Sequence, residues 1–181
     1  FSALKWLNDN LKEYPADMDN IFLAGDSAGG HFSCVTTAVN LDEDMQKDFG
    51  VEHCGFDFNA VAAICPAVDL LSPNFLMNVN VPVRLGDKWR KSKYKRYLDV
   101  NRIISKDFPP FYVNTARNDF LKKQCYKLKD ILERNNIEHK FHDFDKPLSH
   151  VFNVVDPFSK YGDMANTEIA DFFKARMKTK V

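Results

Sequence analysis

The sequence predicts an α/β protein, a mostly parallel β-sheet flanked by helices. Three observations lead there. Short apolar runs alternate with longer segments of helical periodicity along the whole chain. The first three runs lack polar/apolar alternation, as expected of strands covered on both faces. No segment repeats another, which excludes a solenoid or propeller.

The elements follow in order. Leu4, Leu7 and Leu11 share one helical face with Trp6 nearby, and Tyr14-Pro15 stops that helix. Ile21-Phe22-Leu23-Ala24 reads as a buried strand, and residues 31–41 beyond the following glycines read as a buried helix. Residues 42–50 are acidic and read as surface. Ala60-Val61-Ala62-Ala63-Ile64-Cys65, closed by Pro66, is the second strand, and residues 111–116 form the third. Leu121, Cys125, Leu128 and Leu132 mark a helix ending at Asn135-Asn136. Residues 139–144 alternate and are more polar, which suits a fourth strand near an edge. Ile169, Phe172, Phe173 and Arg176 place a last helix over residues 167–178.

With 181 residues, the chain has the length of one domain with a sizeable core. Hydrophobic residues make up 45% and charged residues 28%, so extensive disorder is excluded. Twenty-five basic residues balance 25 acidic ones, leaving no global field to draw nucleic acid or an anionic membrane. No apolar run approaches the roughly 18–20 residues of a membrane span, so no transmembrane segment is expected. Cys34, Cys54, Cys65 and Cys125 are scattered without metal-site or redox spacing, which points to reduced thiols in a cytoplasmic protein and to no bound metal.

The chemistry concentrates at Gly25-Asp26-Ser27-Ala28-Gly29, directly after a buried strand and before a helix. A serine on so tight a turn needs small neighbours, and the turn lifts its Oγ clear of the sheet. The backbone N–H of Ala28, at the helix N-terminus, then faces a developing oxyanion. A phosphate-binding turn is the competing interpretation of such a glycine-rich loop.

The longer string Gly25-Asp26-Ser27-Ala28-Gly29-Gly30-His31 resembles the signature of the hormone-sensitive-lipase family of carboxylesterases, α/β-hydrolases by fold. The helix around Leu4-Lys5-Trp6-Leu7 and the strand at Ile21-Phe22-Leu23-Ala24 are similar to that family's lead-in to the elbow. The resemblance implies an α/β-hydrolase fold and a cofactor-free serine hydrolase. It would cleave small-molecule carboxylic esters of short to medium chain through an acyl-enzyme.

In α/β-hydrolases the acid and base follow the serine in that order, each in a loop at the C-terminal edge of the sheet. Asp119 follows the third strand in Arg117-Asn118-Asp119-Phe120-Leu121 and matches the family's acid. Asp69, after the second strand, is its rival, and a helix N-cap is a further use for Asp119. Among five histidines, His150 in Ser149-His150-Val151-Phe152 lies beyond the fourth strand, where a loop can swing its ring over Ser27. His31, His53, His139 and His142 read as packing or surface residues. The family has His-Gly-Phe at the base, so Val151 is a departure expected to shift the loop slightly.

The family's His-Gly-Gly-Gly stretch, which completes the oxyanion hole, does not occur in this sequence. The chain opens on Phe1, already inside a helical pattern, and an N-terminally truncated hydrolase is the expectation. Losing one oxyanion donor costs about 100–1,000-fold in rate. The strand before Ser27 would then be an open apolar edge, available for a homo-oligomer or for a missing segment. Residues 71–108 are expected to form a cap, the position at which the family inserts helices. Phe75, Leu76 and Met77 are candidates for an acyl pocket or for plain core. The basic run Arg84, Lys88, Arg90, Lys91, Lys93, Lys95 and Arg96 reads as a solvated face. A prolyl-oligopeptidase-like peptidase and an inactive fragment remain as alternatives.

Overall fold

The structure is a computed structural model that describes residues 1–72, 86 and 88–179. Four parallel strands stand in the order β1-β2-β3-β4: β1 Phe22–Asp26, β2 Ala60–Ile64, β3 Phe111–Ala116 and β4 His139–Phe144. Among the described residues the α-helices are α1 Ser2–Asn10, α2 Ala28–Leu41, α3 Glu43–Phe49, α4 Lys122–Arg134, α5 Phe152–Val155 and α6 Lys160–Lys174.

The two-residue period of the strands divides the core. Val61, Ala63, Phe111 and Val113 turn to one face, where Cys34 and Val39 of α2 and Leu128, Ile131 and Leu132 of α4 cover them. Ala60, Ala62 and Tyr112 turn to the other and meet Phe172 of α6. Both central strands are therefore buried at every position, which is why they carry no polar alternation. Strand β4 is an edge, as its polarity predicts. The other edge is β1, with Ala24 exposed and the rest half-buried; Phe173 stacks on its Phe22 at 4.6 Å.

Two helices add to the sequence expectation. Residues 43–49, read as surface, are mostly exposed and form α3: the Asp42 carboxylate accepts the N–H groups of Asp44 and Met45, and Gly50 ends the helix in the left-handed region at φ 64°. The last helix begins at Lys160, seven residues before the expected start at residue 167, because the Ser159 hydroxyl caps it by accepting the Gly162 N–H.

The stretch 71–108 is described only in part. Arg84 and the acyl-pocket candidates Phe75, Leu76 and Met77 lie outside the described residues. The C-terminal portion runs as 3-10 turns over Trp89–Lys91, Lys93–Leu98 and Val100–Arg102. It packs on α3, where Lys93, Arg96 and the hydroxyls of Tyr94 and Tyr97 all reach Asp48. Lys127 of α4 pairs with both Asp69, just before the stretch, and Asp99 within it, and the two aspartates also meet in an isolated antiparallel bridge.

Candidate active site

Parallel pairing puts the C-terminal ends of all four strands on one side, with Asp26 beside Ile64, Ile64 beside Asn114 and Ala116 beside Phe144. The loops after those ends carry Ser27, Cys65, Asp119 and His150.

Ser27 sits at φ 52° and ψ −115°, a conformation rare for any residue with a Cβ. Its backbone is pinned on both sides, its N–H donating to the Ile64 carbonyl at 2.9 Å and its carbonyl accepting the Ala67 N–H at 2.9 Å. The turn closes so tightly that a Cβ on Gly25 would fall 2.3 Å from the Gly29 carbonyl oxygen. On Gly30 it would fall 2.6 Å from the Pro66 ring. Ala28 is the first residue of α2, so its N–H belongs to the helix start that has no intrahelical acceptor.

His150 bridges the other two residues. Its Nε2 is 2.8 Å from Ser27 Oγ and its Nδ1 is 2.7 Å from Asp119 Oδ1. The Asp119 side chain is fully buried. Oδ1 also accepts the Leu121 N–H at 2.9 Å, while Oδ2 accepts from the Thr115 hydroxyl at 2.8 Å and from the Cys125 thiol at 3.6 Å. Burial alone would raise this carboxyl's pKa; the hydrogen bonds from His150, Leu121 and Thr115 outweigh it and hold the group below the usual carboxylate range. An ionised carboxylate only accepts, so the proton between it and His150 sits on Nδ1. The other ring nitrogen of the neutral imidazole is then free to accept from Ser27. The Phe120 ring lies 4.2 Å from the His150 ring, centre to centre, tilted by 45°.

Asp69 lies elsewhere: its carboxylate takes Lys127 Nζ at 2.8 Å and the Leu71 N–H at 2.9 Å. Asp119 is not an N-cap, since α4 begins at Lys122 after Leu121. The remaining histidines have other neighbours. His53 contacts Asn40 and Asp57, His139 the Ile137 carbonyl, and His142 the carboxylate of Glu168 on α6. His31 is buried in α2, and its Nδ1 has no hydrogen-bond partner among the described residues. Val151, where the resembled family has glycine, is in the left-handed region at φ 51° and ψ 36°: the loop keeps the glycine-like conformation with a branched residue in it. The sequence alone missed Thr115, Cys65 and Cys125 as neighbours of the acid.

Among characterised proteins, the probable carboxylic ester hydrolase LipM of Mycobacterium tuberculosis is 32% identical over 130 residues, covering 66% of this chain and 28% of that protein. Esterase B of Lactobacillus rhamnosis, in a structure inhibited by a tributyrin phosphonate, superposes with a TM-score of 0.87 at 26% identity. That match covers 97% of this chain and 58% of the esterase. The carboxylesterase Cest-2923 of Lactobacillus plantarum shares the fold, with a TM-score of 0.73 at 16% identity over 99% of this chain and 67% of its own. The chain thus spans under a third of LipM and under two thirds of esterase B. A family model described as alpha/beta hydrolase fold matches residues 1–153, and the chain belongs to that α/β-hydrolase family.

Proposed function

We propose that the protein is a serine carboxylesterase in which Ser27 is the nucleophile, His150 the general base and acid, and Asp119 the residue that orients and stabilises the imidazole. The observation that carries this reading is the unbroken chain from Ser27 Oγ through His150 to a buried carboxylate, at 2.8 and 2.7 Å, on a strained strand-to-helix turn. His150 Nε2 takes the hydroxyl proton as Ser27 attacks the ester carbonyl, and Asp119 stabilises the imidazolium that forms. The Ala28 N–H supports the oxyanion. His150 then protonates the departing alkoxide, and water, activated by the same nitrogen, releases the acid from the acyl-enzyme.

LipM and esterase B are named as ester hydrolases, which favours esters over peptides, and the tributyrin phosphonate on esterase B favours short acyl chains. A cap formed by residues 71–108 and a cytoplasmic setting belong to the same proposal. A second reading, a weak hydrolase that needs a further segment or a partner, draws on the open β1 edge and on the share of its relatives that the chain spans. Hydrolysis of p-nitrophenyl butyrate by the purified chain tests both. The esterase reading expects turnover that Ser27→Ala abolishes and Asp119→Asn lowers by roughly 10³–10⁴-fold. Turnover that survives Ser27→Ala sinks it, and absence of turnover in the folded wild type favours the second reading.

A further inference from the structure

Acyl transfer leaves one group at this edge unused. Cys65, the residue after β2, is fully buried and held at φ 44°, with its N–H donating to the Asn114 carbonyl at 3.1 Å. The Cys65 thiol, the Asp119 carboxylate and the His150 ring each place a ligand atom within 4.8 Å of the others. Cys125 Sγ, 3.6 Å from Asp119 Oδ2, adds a fourth donor to the same carboxylate.

Two sulfurs, one carboxylate oxygen and one imidazole nitrogen are donors that a tetrahedral, thiophilic cation accepts. With bonds of about 2.0–2.3 Å, tetrahedral ligand atoms stand roughly 3.3–3.8 Å apart, so the Cys65, Asp119 and His150 donors close on such an ion by movements of about 1 Å, while Cys125, outside that group of three, joins by a larger one. Entry is from the His150 side, whose side chain is 15% exposed while that of Asp119 is sealed.

We propose that Cys65, Asp119 and His150, with Cys125 as fourth donor, form an inhibitory site for a thiophilic divalent cation of the zinc class. The inhibition rests on the esterase reading; the binding does not. On binding, the Cys65 and Cys125 thiols each lose a proton to solvent, the Nδ1 proton moves through solvent to Nε2, and the metal takes the Nδ1 lone pair. The imidazole stays neutral, so its one proton now sits on Nε2. That nitrogen faces Ser27 Oγ as a donor instead of an acceptor, and the nucleophile loses its base. Asp119 is drawn from the hydrogen bond that orients the ring to the metal. No oxidation or group transfer is involved.

Cadmium chloride is the probe, because its thiolate bonds absorb in the near ultraviolet. The 181-residue chain is titrated with it while a fluorophosphonate labels Ser27, so absorbance and labelling rate are read together. The proposal expects saturation at one cadmium per chain with labelling slowed about 100-fold or more. Both effects are lost in the near-isosteric Cys65→Ser and kept in Cys34→Ser, whose thiol is buried under α2 elsewhere in the core. Absorbance that persists in Cys65→Ser, or no stoichiometric absorbance in the wild type, overturns the site. Cadmium that binds through Cys65 yet leaves labelling unchanged overturns the inhibition. Where Ser27 is not labelled even without cadmium, the esterase reading fails and the absorbance alone decides the metal site.

Discussion

Val151 sits beside His150 in a backbone conformation that glycine adopts freely and a β-branched residue resists. The left-handed region costs such a residue about 1–2 kcal/mol, and here that strain is spent on the loop that aims the imidazole. Val151→Gly relieves it at the price of a more flexible unfolded chain. The expected result is a gain of about 1 kcal/mol in stability by urea denaturation, with the His150 geometry and any Ser27 reactivity retained. A loss of stability would show that the Val151 side chain contributes more by packing than its backbone costs. The meeting of Ser27, Asp119 and His150 at one sheet edge was legible in the sequence, because a motif marks the serine and the order of the segments marks the loops that hold the other two. Thr115 and Cys125 were not: the one reaches Asp119 from inside a buried strand and the other from a helix stripe, where each reads only as core.

At the scale of elements, α2 combines the elbow with a buried base that takes no part in it. His31 lies four residues beyond Ser27, and burial lowers its pKa to about 4, against the opposing pull of the Tyr97 and Ala67 backbone and of Asp99 and Asp69. A histidine with a lowered folded-state pKa binds its proton more weakly folded than unfolded. Its contribution is complete above the unfolded value near 6.5 and is lost as the pH falls toward 4. Stability should therefore decline by roughly 2–3 kcal/mol across that window. Urea midpoints measured from pH 7 to pH 4 check this, with His31→Gln expected to flatten the decline and an equally steep decline in that variant refuting it. The buried strands were the most legible elements, since continuous apolar runs between turn signals leave little else to be. Boundaries set by polar caps were less so. Asp42, Gly50 and Ser159 carry the signals for α3 and for the start of α6, but those helices begin or lie outside the apolar stripes that drew attention.

For the whole molecule, the open side of β1 dominates. Among the described residues β1 pairs only with β2, and Ala24 is exposed at its centre. An apolar strand edge with free N–H and carbonyl groups invites another strand. The 181-residue chain is expected to self-associate in sedimentation velocity, with Ala24→Lys shifting it toward monomer. A wild-type chain that stays monomeric at all concentrations would contradict this. The sequence carried the parallel sheet, the burial of β2 and β3 and the edge position of β4. It read the run at β1 as fully buried, whereas β1 is half-buried at an edge, and the closeness of Cys65 to Asp119 and His150 arises only when three strand ends meet.

If the contacts to His150 and Asp119 activate Ser27, its hydroxyl reacts with a fluorophosphonate, and intact-mass detection reads that reaction. A single adduct is expected on the wild-type chain and none on Ser27→Ala. A folded wild-type chain that takes no adduct, or an adduct that persists in Ser27→Ala, would contradict it.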